Sequence, residues 1–219
     1  MTRVKICGIK DKEHALAAVE AGADFIGLVF APSPRRVEPD DALEIVRTVK
    51  DASDAVEIVG VFVNMSPQQV NLIAATQGLD RVQLSGNEPW EYCRFMAKPI
   101  IRAVHIPPEG SAEDVLSRLE EGERMLAGIE HIYLLDTQMA GRYGGTGNTF
   151  PWEVARQAAQ RYPVIVAGGL DPDNVAQAIE AAAPWGVDVS SGVETGGVKD
   201  TAKIKAFIEA VRKTDDSKR

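Results

Sequence analysis

The chain has 219 residues, of which 45% are hydrophobic and 26% are charged, with 19 Gly, 12 Pro and 2 Cys. This composition is that of an ordinary globular protein, and it excludes a disordered chain, a collagen-like chain and a disulfide-bonded scaffold. The 24 Lys and Arg residues against 32 Asp and Glu give a formal net charge of −8. Such an acidic chain is a poor general ligand for nucleic acid or an anionic membrane, so we expect neither partner, although one local anion site remains compatible with this charge.

The amino-terminal segment has no long apolar core before a small-residue cleavage site, so we predict no secretory signal and expect a cytoplasmic location. Residues 58–79 carry no charged side chain, but Asn, Gln and Ser interrupt their apolar character, so no membrane span is predicted. Cys7 and Cys93 are expected to be free thiols, because disulfides persist mainly in oxidising compartments. Cys93, beside Phe95 and Met96, is interpreted as a core residue.

Short runs rich in Val and Ile alternate with helical patterns along the whole chain. The predicted strands cover residues 4–9, 24–30, 56–64, 81–86, 100–106, 131–137, 164–170 and 187–193. The predicted helices cover residues 11–21, 39–50, 67–77, 89–96, 111–127 and 152–161, a segment opened by Asp171 and Pro172, and a last segment that includes residues 204–211. A Gly-rich loop, residues 139–148, follows the sixth predicted strand.

Eight strand and helix units in 219 residues average about 27 residues each, which is close to the minimum for a (β/α)8 TIM barrel with short loops. Continuously apolar strand cores such as residues 59–63 are typical of parallel strands covered on both sides. No linker or shift in composition divides the chain, so we predict one domain over residues 1–219. An open doubly wound sheet is the alternative, but the segment Cys7-Gly8-Ile9-Lys10 is not the dinucleotide fingerprint that would favour it.

Functional residues of a parallel barrel stand at the carboxyl ends of its strands. Asp136 closes an apolar predicted strand, where a carboxylate is costly unless it has partners or a task, although a capping or loop-anchoring role is the alternative. Cys7 closes the first predicted strand, where a small buried cysteine is the usual interpretation. Lys5 points to the same side of that strand, and a nearby ammonium group lowers the pKa of a thiol. Lys5 could therefore help Cys7 act as a thiolate base.

Two segments have the composition of an anion site. Gly168 and Gly169 follow the seventh predicted strand, and Ser190, Ser191 and Gly192 follow the core of the eighth. Glycines allow backbone N–H groups to approach phosphate oxygens, serines add hydroxyl donors, and these two loops form the recurrent phosphate site of this barrel. The Gly-rich residues 144–147 are interpreted as a further binding element, an active-site cover or a plain turn.

Arg35 and Arg36 follow the second predicted strand, in a loop that Pro32 and Pro34 stiffen. Paired arginines are usually solvated, but one of them could hold a substrate carboxylate through two parallel hydrogen bonds. His105 stands at the functional end of the fifth strand, but no second ligand is spaced with it as a metal pair would be, so no metal is predicted.

A series of short segments follows the chain from the first predicted strand to the eighth. They are Val4-Lys5-Ile6-Cys7-Gly8-Ile9, residues 27–30 with 33–36, 59–64, 82–84, 134–137, 144–147, 167–170 and 187–194. Their order and content resemble phosphoribosylanthranilate isomerase, the (β/α)8 enzyme of tryptophan biosynthesis. The resemblance implies that Cys7 is the general base, that Asp136 is the general acid and that Arg36 binds the anthranilate carboxylate. It places Asp188 near the sugar hydroxyls and the phosphate on the two Gly and Ser segments.

The reaction implied by the resemblance is the Amadori rearrangement of N-(5-phosphoribosyl)anthranilate, a small phosphorylated aminosugar, to 1-(2-carboxyphenylamino)-1-deoxyribulose 5-phosphate. Asp136 would protonate the furanose ring oxygen, and Cys7 would remove the C2 proton. Only protons move, so no cofactor is expected. The assembly is expected to be a monomer or a homodimer.

The chain departs from the family pattern at two positions, which puts affinity and loop geometry in question rather than the type of reaction. Ser85 stands where the family commonly has His, and Pro151 stands where it often has Asp. Competing interpretations are another phosphosugar-binding barrel isomerase, the synthase that closes the indole ring, and a non-catalytic phosphometabolite sensor. The sensor would keep the Gly and Ser loops without needing Cys7 and Asp136 together.

Overall fold

The computed structural model describes residues 1–106, 111–137 and 152–218. Eight parallel strands close into a barrel in chain order, which confirms the predicted fold class. The strands are β1 (Arg3–Cys7), β2 (Phe25–Val29), β3 (Glu57–Phe62), β4 (Arg81–Leu84), β5 (Ile100–Ile106), β6 (His131–Thr137), β7 (Val164–Ala167) and β8 (Gly186–Val189). Strands β1 and β7 end before the predicted residue because Gly8 and Gly168, at φ 79° and 95°, turn the backbone out of the sheet.

The helices that cover the barrel are α1 (Lys12–Ala21), α2 (Pro39–Ala52), α3 (Pro67–Thr76), α4 (Ala112–Met125), α5 (Trp152–Ala159), α6 (Val175–Ala182) and α7 (Thr201–Ser217). Local signals explain where they begin. At the start of α3, Ser66 and Gln69 form a capping box, in which each side chain satisfies a backbone N–H group of the other residue. Within the described residues, no helix is both long enough and apolar enough to cross a membrane.

Two predicted helices differ from the structure. Residues 89–96 form a short 3-10 helix, Trp90–Phe95, of which only Cys93 is buried, so there is no continuous apolar face to support a longer α-helix. The helix predicted to open at Asp171 begins at Val175 instead. The Asp171 carboxylate accepts hydrogen bonds from the N–H groups of Asp173 and Asn174, at 2.9 and 3.0 Å, and so closes a turn that precedes α6.

The chain after β8 contains elements that the sequence patterns did not predict. A 3-10 turn, Ser191–Val193, leads into an antiparallel ribbon of β9 (Glu194–Thr195) and β10 (Val198–Lys199). Gly196 and Gly197 form its turn, with positive φ angles of 61° and 82°. Strands this short carry too few residues to show an alternating pattern. The predicted Gly-rich segment 139–148 and Pro151 lie outside the described residues.

The interior of the barrel changes character along its axis. One apolar cluster fills it: Phe25, Val59, Ile101, Ala103, Ile132, Leu134, Ile165 and Ala167. Towards the carboxyl ends of the strands, the buried side chains become polar or small, as with Lys5, Gln83 and Asp188. A larger cluster lies between the strands and the helices, and it includes Cys93 as predicted. The polar side chains at this end of the barrel therefore pack on a tightly filled apolar interior.

Candidate active site

A cavity of about 220 Å³ lies at the carboxyl ends of the barrel strands. Its walls include Gln83, Ser85, Leu134, Ala167 and Leu170. The structure also brings most of the sequence-predicted site residues to this cavity, namely Cys7, Asp136, Gly168, Gly169, Asp188, Ser190 and Ser191. The predicted site residues that do not line this cavity are Lys5, Arg36 and Gly192.

Lys5 is fully buried beside Asp188, its register partner on β8. Its Nζ donates a hydrogen bond to Asp188 Oδ1 at 2.9 Å. Burial by itself lowers the pKa of Lys5, but the Asp188 carboxylate and then Cys7 outweigh burial, and the net pKa is raised. Lys5 is therefore a permanent ammonium group beneath the cavity, and Asp188 balances its charge.

Cys7 is a buried thiol that faces two opposed influences. Burial raises its pKa, the Lys5 ammonium lowers it, and the Asp188 carboxylate raises it again, so the net pKa is raised. Lys5 thus acts on the thiol in the predicted direction without determining the outcome. The net upward direction favours the thiol over the thiolate form of Cys7.

Because Gly27 on β2 has no side chain, the Cys7 thiol and the Lys5 ammonium group can both lie beside it inside the barrel. A β-carbon at this position would lie 3.0 Å from Cys7 Sγ and 3.0 Å from Lys5 Nζ. Contacts this close would force both groups to move. The absence of a side chain on the neighbouring strand is therefore part of the site, and the sequence patterns did not single out this glycine.

Asp136 is the penultimate residue of β6 and lies beside His105, its register partner on β5. The distance from His105 Nδ1 to Asp136 Oδ2 is 3.4 Å, and both side chains are partly exposed. His105 Nε2 lies 3.0 Å from the carbonyl oxygen of Ser85. Hydrogen bonding to Asp136 raises the pKa of His105, against an opposing effect of burial. The predicted acid therefore has a titratable partner that the sequence patterns did not assign to it.

Ser85, the position at which the chain departs from the family pattern, faces the same cavity. Its hydroxyl oxygen accepts a hydrogen bond from Gln83 Nε2 at 3.0 Å. The hydroxyl group is thus held in place at the end of β4, where it can contact a bound molecule.

The two segments predicted to bind an anion meet at the ends of β7 and β8. Gly168 and Gly169 both have positive φ, at 95° and 64°, which is a conformation that few residues other than glycine adopt. A β-carbon on Gly192 would collide with the carbonyl oxygen of Leu170, so the chain after β8 packs directly on the chain after β7. Backbone groups and the hydroxyls of Ser190 and Ser191 therefore converge on one corner.

The two adjacent arginines have different surroundings. Arg35 donates two hydrogen bonds to Glu194, from Nε at 2.7 Å and from Nη2 at 2.8 Å. Lys199 Nζ donates to the same carboxylate at 2.6 Å and to the Ser190 carbonyl oxygen at 2.9 Å. Although burial opposes ionisation, these two cations lower the pKa of Glu194 to about 2. The guanidinium group of Arg35 is thus already paired with a carboxylate of the protein itself.

Arg36 has a half-exposed side chain, and the ion pair that it forms, with Glu38, is long at 3.8 Å. It stands beside the end of β2, where a backbone bridge joins it to Val29. Of the two arginines, Arg36 is the one whose guanidinium group can turn to a ligand carboxylate. Sequence patterns missed Glu194 and Lys199 as supports of this end of the barrel, and the only signal was the place of Glu194 in the last matching segment.

This combination defines a class of protein, a (β/α)8 barrel in which a thiol and a carboxyl group flank the Gly and Ser corner that is predicted to bind an anion. Residues 4–210 match the family model described as N-(5'phosphoribosyl)anthranilate (PRA) isomerase. A curated relative from Dehalococcoides mccartyi, named N-(5'-phosphoribosyl)anthranilate isomerase, is 45% identical over 218 residues, which cover 100% of this chain and 99% of the relative. The chain belongs to the N-(5'-phosphoribosyl)anthranilate isomerase family, and it is an isomerase of tryptophan biosynthesis.

Solved structures agree with this assignment. A phosphoribosyl anthranilate isomerase in complex with reduced 1-(o-carboxyphenylamino)-1-deoxyribulose 5-phosphate has a TM-score of 0.81 and 38% identity, and the match covers 97% of this chain and 100% of that one. A structure of monomers generated from the dimeric isomerase of Thermotoga maritima has a TM-score of 0.80 and 38% identity, with the same coverage.

Proposed function

We propose that this chain rearranges N-(5'-phosphoribosyl)anthranilate to 1-(2-carboxyphenylamino)-1-deoxyribulose 5-phosphate, with Asp136 as the general acid and Cys7 as the general base. One geometric observation carries the proposal. Asp136 is the penultimate residue of β6 and Cys7 ends β1, and the two strands between them in the barrel, β7 and β8, carry the anion corner. A phosphate held in that corner leaves the attached sugar between an acid and a base that are too far apart to neutralise each other.

The reaction then needs only proton transfers. Asp136 donates a proton to the ring oxygen, the bond from that oxygen to C1 breaks, and the anthranilate nitrogen forms an iminium bond with C1. Cys7 removes the proton from C2, and the electron pair of that C–H bond forms the C1–C2 double bond as the iminium accepts electrons. The resulting enolamine tautomerises to the ketone. Lys5 supports the step at C2 because its positive charge favours the thiolate form of Cys7.

The remaining site residues bind the substrate. We assign the phosphate to Gly168, Gly169, Ser190, Ser191 and Gly192, through backbone N–H groups and hydroxyls. We assign the anthranilate carboxylate to the half-exposed guanidinium group of Arg36. Asp188 accepts from Lys5 through Oδ1, which leaves Oδ2 for the sugar hydroxyls.

The domain organisation, the assembly and the location of the enzyme are also part of the proposal. Pairing of β1 with β8 and the hydrogen bonds of Thr2 to Asp215, both 2.7 Å, join the two ends of the chain, which supports a single domain over residues 1–219. The dimeric Thermotoga enzyme supports a homodimer as one possible assembly, beside the monomer. A cytoplasmic location and a reaction without a cofactor complete the proposal.

The direct test is an assay of the purified chain with synthesised N-(5'-phosphoribosyl)anthranilate, with the ketose product identified by chromatography. We expect turnover by the unmodified chain and a kcat lower by about 10² to 10⁴-fold after Asp136→Asn. A chain that binds the phosphorylated substrate but forms no product would be a binding protein on the same barrel, and the proposal would be wrong.

A further inference from the structure

His105 occupies a position from which it can affect the acid directly. It stands level with Asp136 on the adjacent strand, and its ring lies between two oxygen atoms. Nε2 is 3.0 Å from the Ser85 carbonyl oxygen, and Nδ1 is 3.4 Å from Asp136 Oδ2. The proposed chemistry gives this ring no task.

The Ser85 carbonyl oxygen determines which ring nitrogen carries a hydrogen. A carbonyl oxygen only accepts hydrogen bonds, so His105 Nε2 must be the donor. Nδ1 then has two favourable arrangements with Asp136. It donates to a carboxylate when the ring is an imidazolium, or it accepts from a carboxylic acid when the ring is neutral. At the observed 3.4 Å, Nδ1 has no hydrogen-bond partner among the described residues, and Asp136 Oδ2 is the group that it faces. In both arrangements, a shorter contact places one proton between His105 and Asp136.

We propose that His105 is a positioning residue that keeps Asp136 supplied with the proton it donates to the substrate, because the two side chains share a single proton. This inference rests on the proposed role of Asp136 as the general acid. When Asp136 protonates the ring oxygen, the pair becomes a neutral imidazole beside a carboxylate. His105 and Asp136 are 39% and 33% exposed at their side chains, so water returns the proton after each turnover. The proton gained by Cys7 passes to solvent, so proton uptake and release are equal in each turnover.

The surrounding charges favour this arrangement. Asp136 raises the pKa of His105, whereas burial and Arg102 lower it, and the net direction is upward. Arg102, on the same strand, is held by Glu88 at 3.0 Å. Arg118 of α4 donates to the His105 carbonyl oxygen at 3.4 Å. The upward direction means that His105 keeps its proton to a higher pH than a free imidazole does.

The two groups together make a distinctive prediction. Catalysis needs a proton on the pair of His105 and Asp136 and none on Cys7, so the pH profile of the rate has one limb from the pair and one from the thiol. A carboxyl group without an imidazole partner releases its proton at lower pH, so loss of His105 moves the limb of the pair to lower pH and leaves the limb of Cys7 in place.

The test is the pH profile of kcat/KM for His105→Gln. We expect one limb of the profile to move to lower pH by at least about one unit and the other limb to stay in place. The matched control is His14→Gln, which breaks another histidine and aspartate contact, to Asp11 at 2.6 Å, and should leave the profile unchanged. A lower rate with both limbs unmoved would reduce His105 to a structural role and overturn the proposal.

Two further measurements separate this proposal from the assignment of the acid. If Asp136→Asn retains activity, the proposed function fails; if Asp136→Asn is inactive while His105→Gln behaves like His14→Gln, only the role of His105 fails. Nitrogen NMR of the unmodified chain, which has three histidines, needs no folded variant. We expect Nε2 of His105 to stay protonated while Nδ1 titrates, and an unprotonated Nε2 would contradict the proposal.

Discussion

Lys5 and Asp188 are 183 positions apart in the chain, yet their side chains meet at 2.9 Å inside the barrel. The contact forms where β8 pairs with β1 and the barrel closes. A fully buried ammonium group is very costly without a partner, so this pair links the closure of the fold to the chemistry above it. The same two charges pull the pKa of Cys7 in opposite directions.

The first prediction concerns the stability of this pair. Replacement of Asp188 by Ala leaves Lys5 charged and unpaired in the core, and we expect the free energy of unfolding to fall by about 3–5 kcal/mol, measured by urea denaturation. The double variant Lys5→Met with Asp188→Leu should recover most of this loss. Lys12→Met, which removes an exposed ion pair to Glu44, is the control and should change little. A stable Asp188→Ala chain would show that water reaches Lys5.

The second prediction is the pH at which Cys7 ionises, followed by ultraviolet absorbance of the thiolate. Because Lys5 lowers and Asp188 raises the pKa of Cys7, Lys5→Met should move ionisation to higher pH and Asp188→Asn to lower pH. Measurements use a Cys93→Ser background, since burial raises the pKa of Cys93 to about 11 and its signal would overlap. No shift in either variant would mean that burial alone controls the pKa of the thiol.

The third prediction concerns the acid and the base. Cys7→Ser and Asp136→Asn should each lower kcat by about 10² to 10⁴-fold, which is the usual contribution of a general acid or base. Affinity for inorganic phosphate, measured by calorimetry, should persist in both, because the anion corner lies on other strands. Cys93→Ser should retain full activity. Near full activity in Cys7→Ser would require another base.

The fourth prediction distinguishes the arginines by steady-state kinetics. Arg36→Lys should raise KM several-fold with little change in kcat, since a lysine cannot make two parallel hydrogen bonds to a carboxylate. Arg35→Lys should leave KM nearly unchanged but lower stability, because it disturbs the contact with Glu194. The reverse pattern would assign the substrate carboxylate to Arg35.

The fifth prediction concerns the anion corner. Crystals soaked in inorganic phosphate should show the anion between the chain segments that follow β7 and β8. Gly192→Ala should abolish this binding, because its β-carbon would push the loop away from the Leu170 carbonyl oxygen. Gly22→Ala is the glycine control away from the corner, because at φ 94° on the C-cap of α1 it strains the backbone without a contact to the site. Phosphate bound elsewhere, with this corner empty, would contradict the assignment.

The sequence by itself determined the barrel, because burial on parallel strands and on one face of each helix leaves a local pattern. Ala42, Ile45, Val46 and Val49 are all buried, as their helical spacing predicts. The sequence failed where tertiary packing overrides a local signal. Asp171 and Pro172 have the composition of a helix start, but the Asn174 side chain donates to the Gly169 carbonyl oxygen at 3.0 Å, so this segment instead holds the loop after β7.

The site divides in the same way. Residue types at strand ends indicated Cys7 and Asp136 because barrel topology sends those positions to one face. Only the tertiary structure decided that Arg35 is held by Glu194, a residue 159 positions away, and that His105 stands beside Asp136. It also decided the direction of the Cys7 pKa, because the pKa depends on burial and on the distances to Lys5 and Asp188 together. Distances between remote residues leave no pattern in a single sequence, and the electrostatics of a buried site depend on those distances.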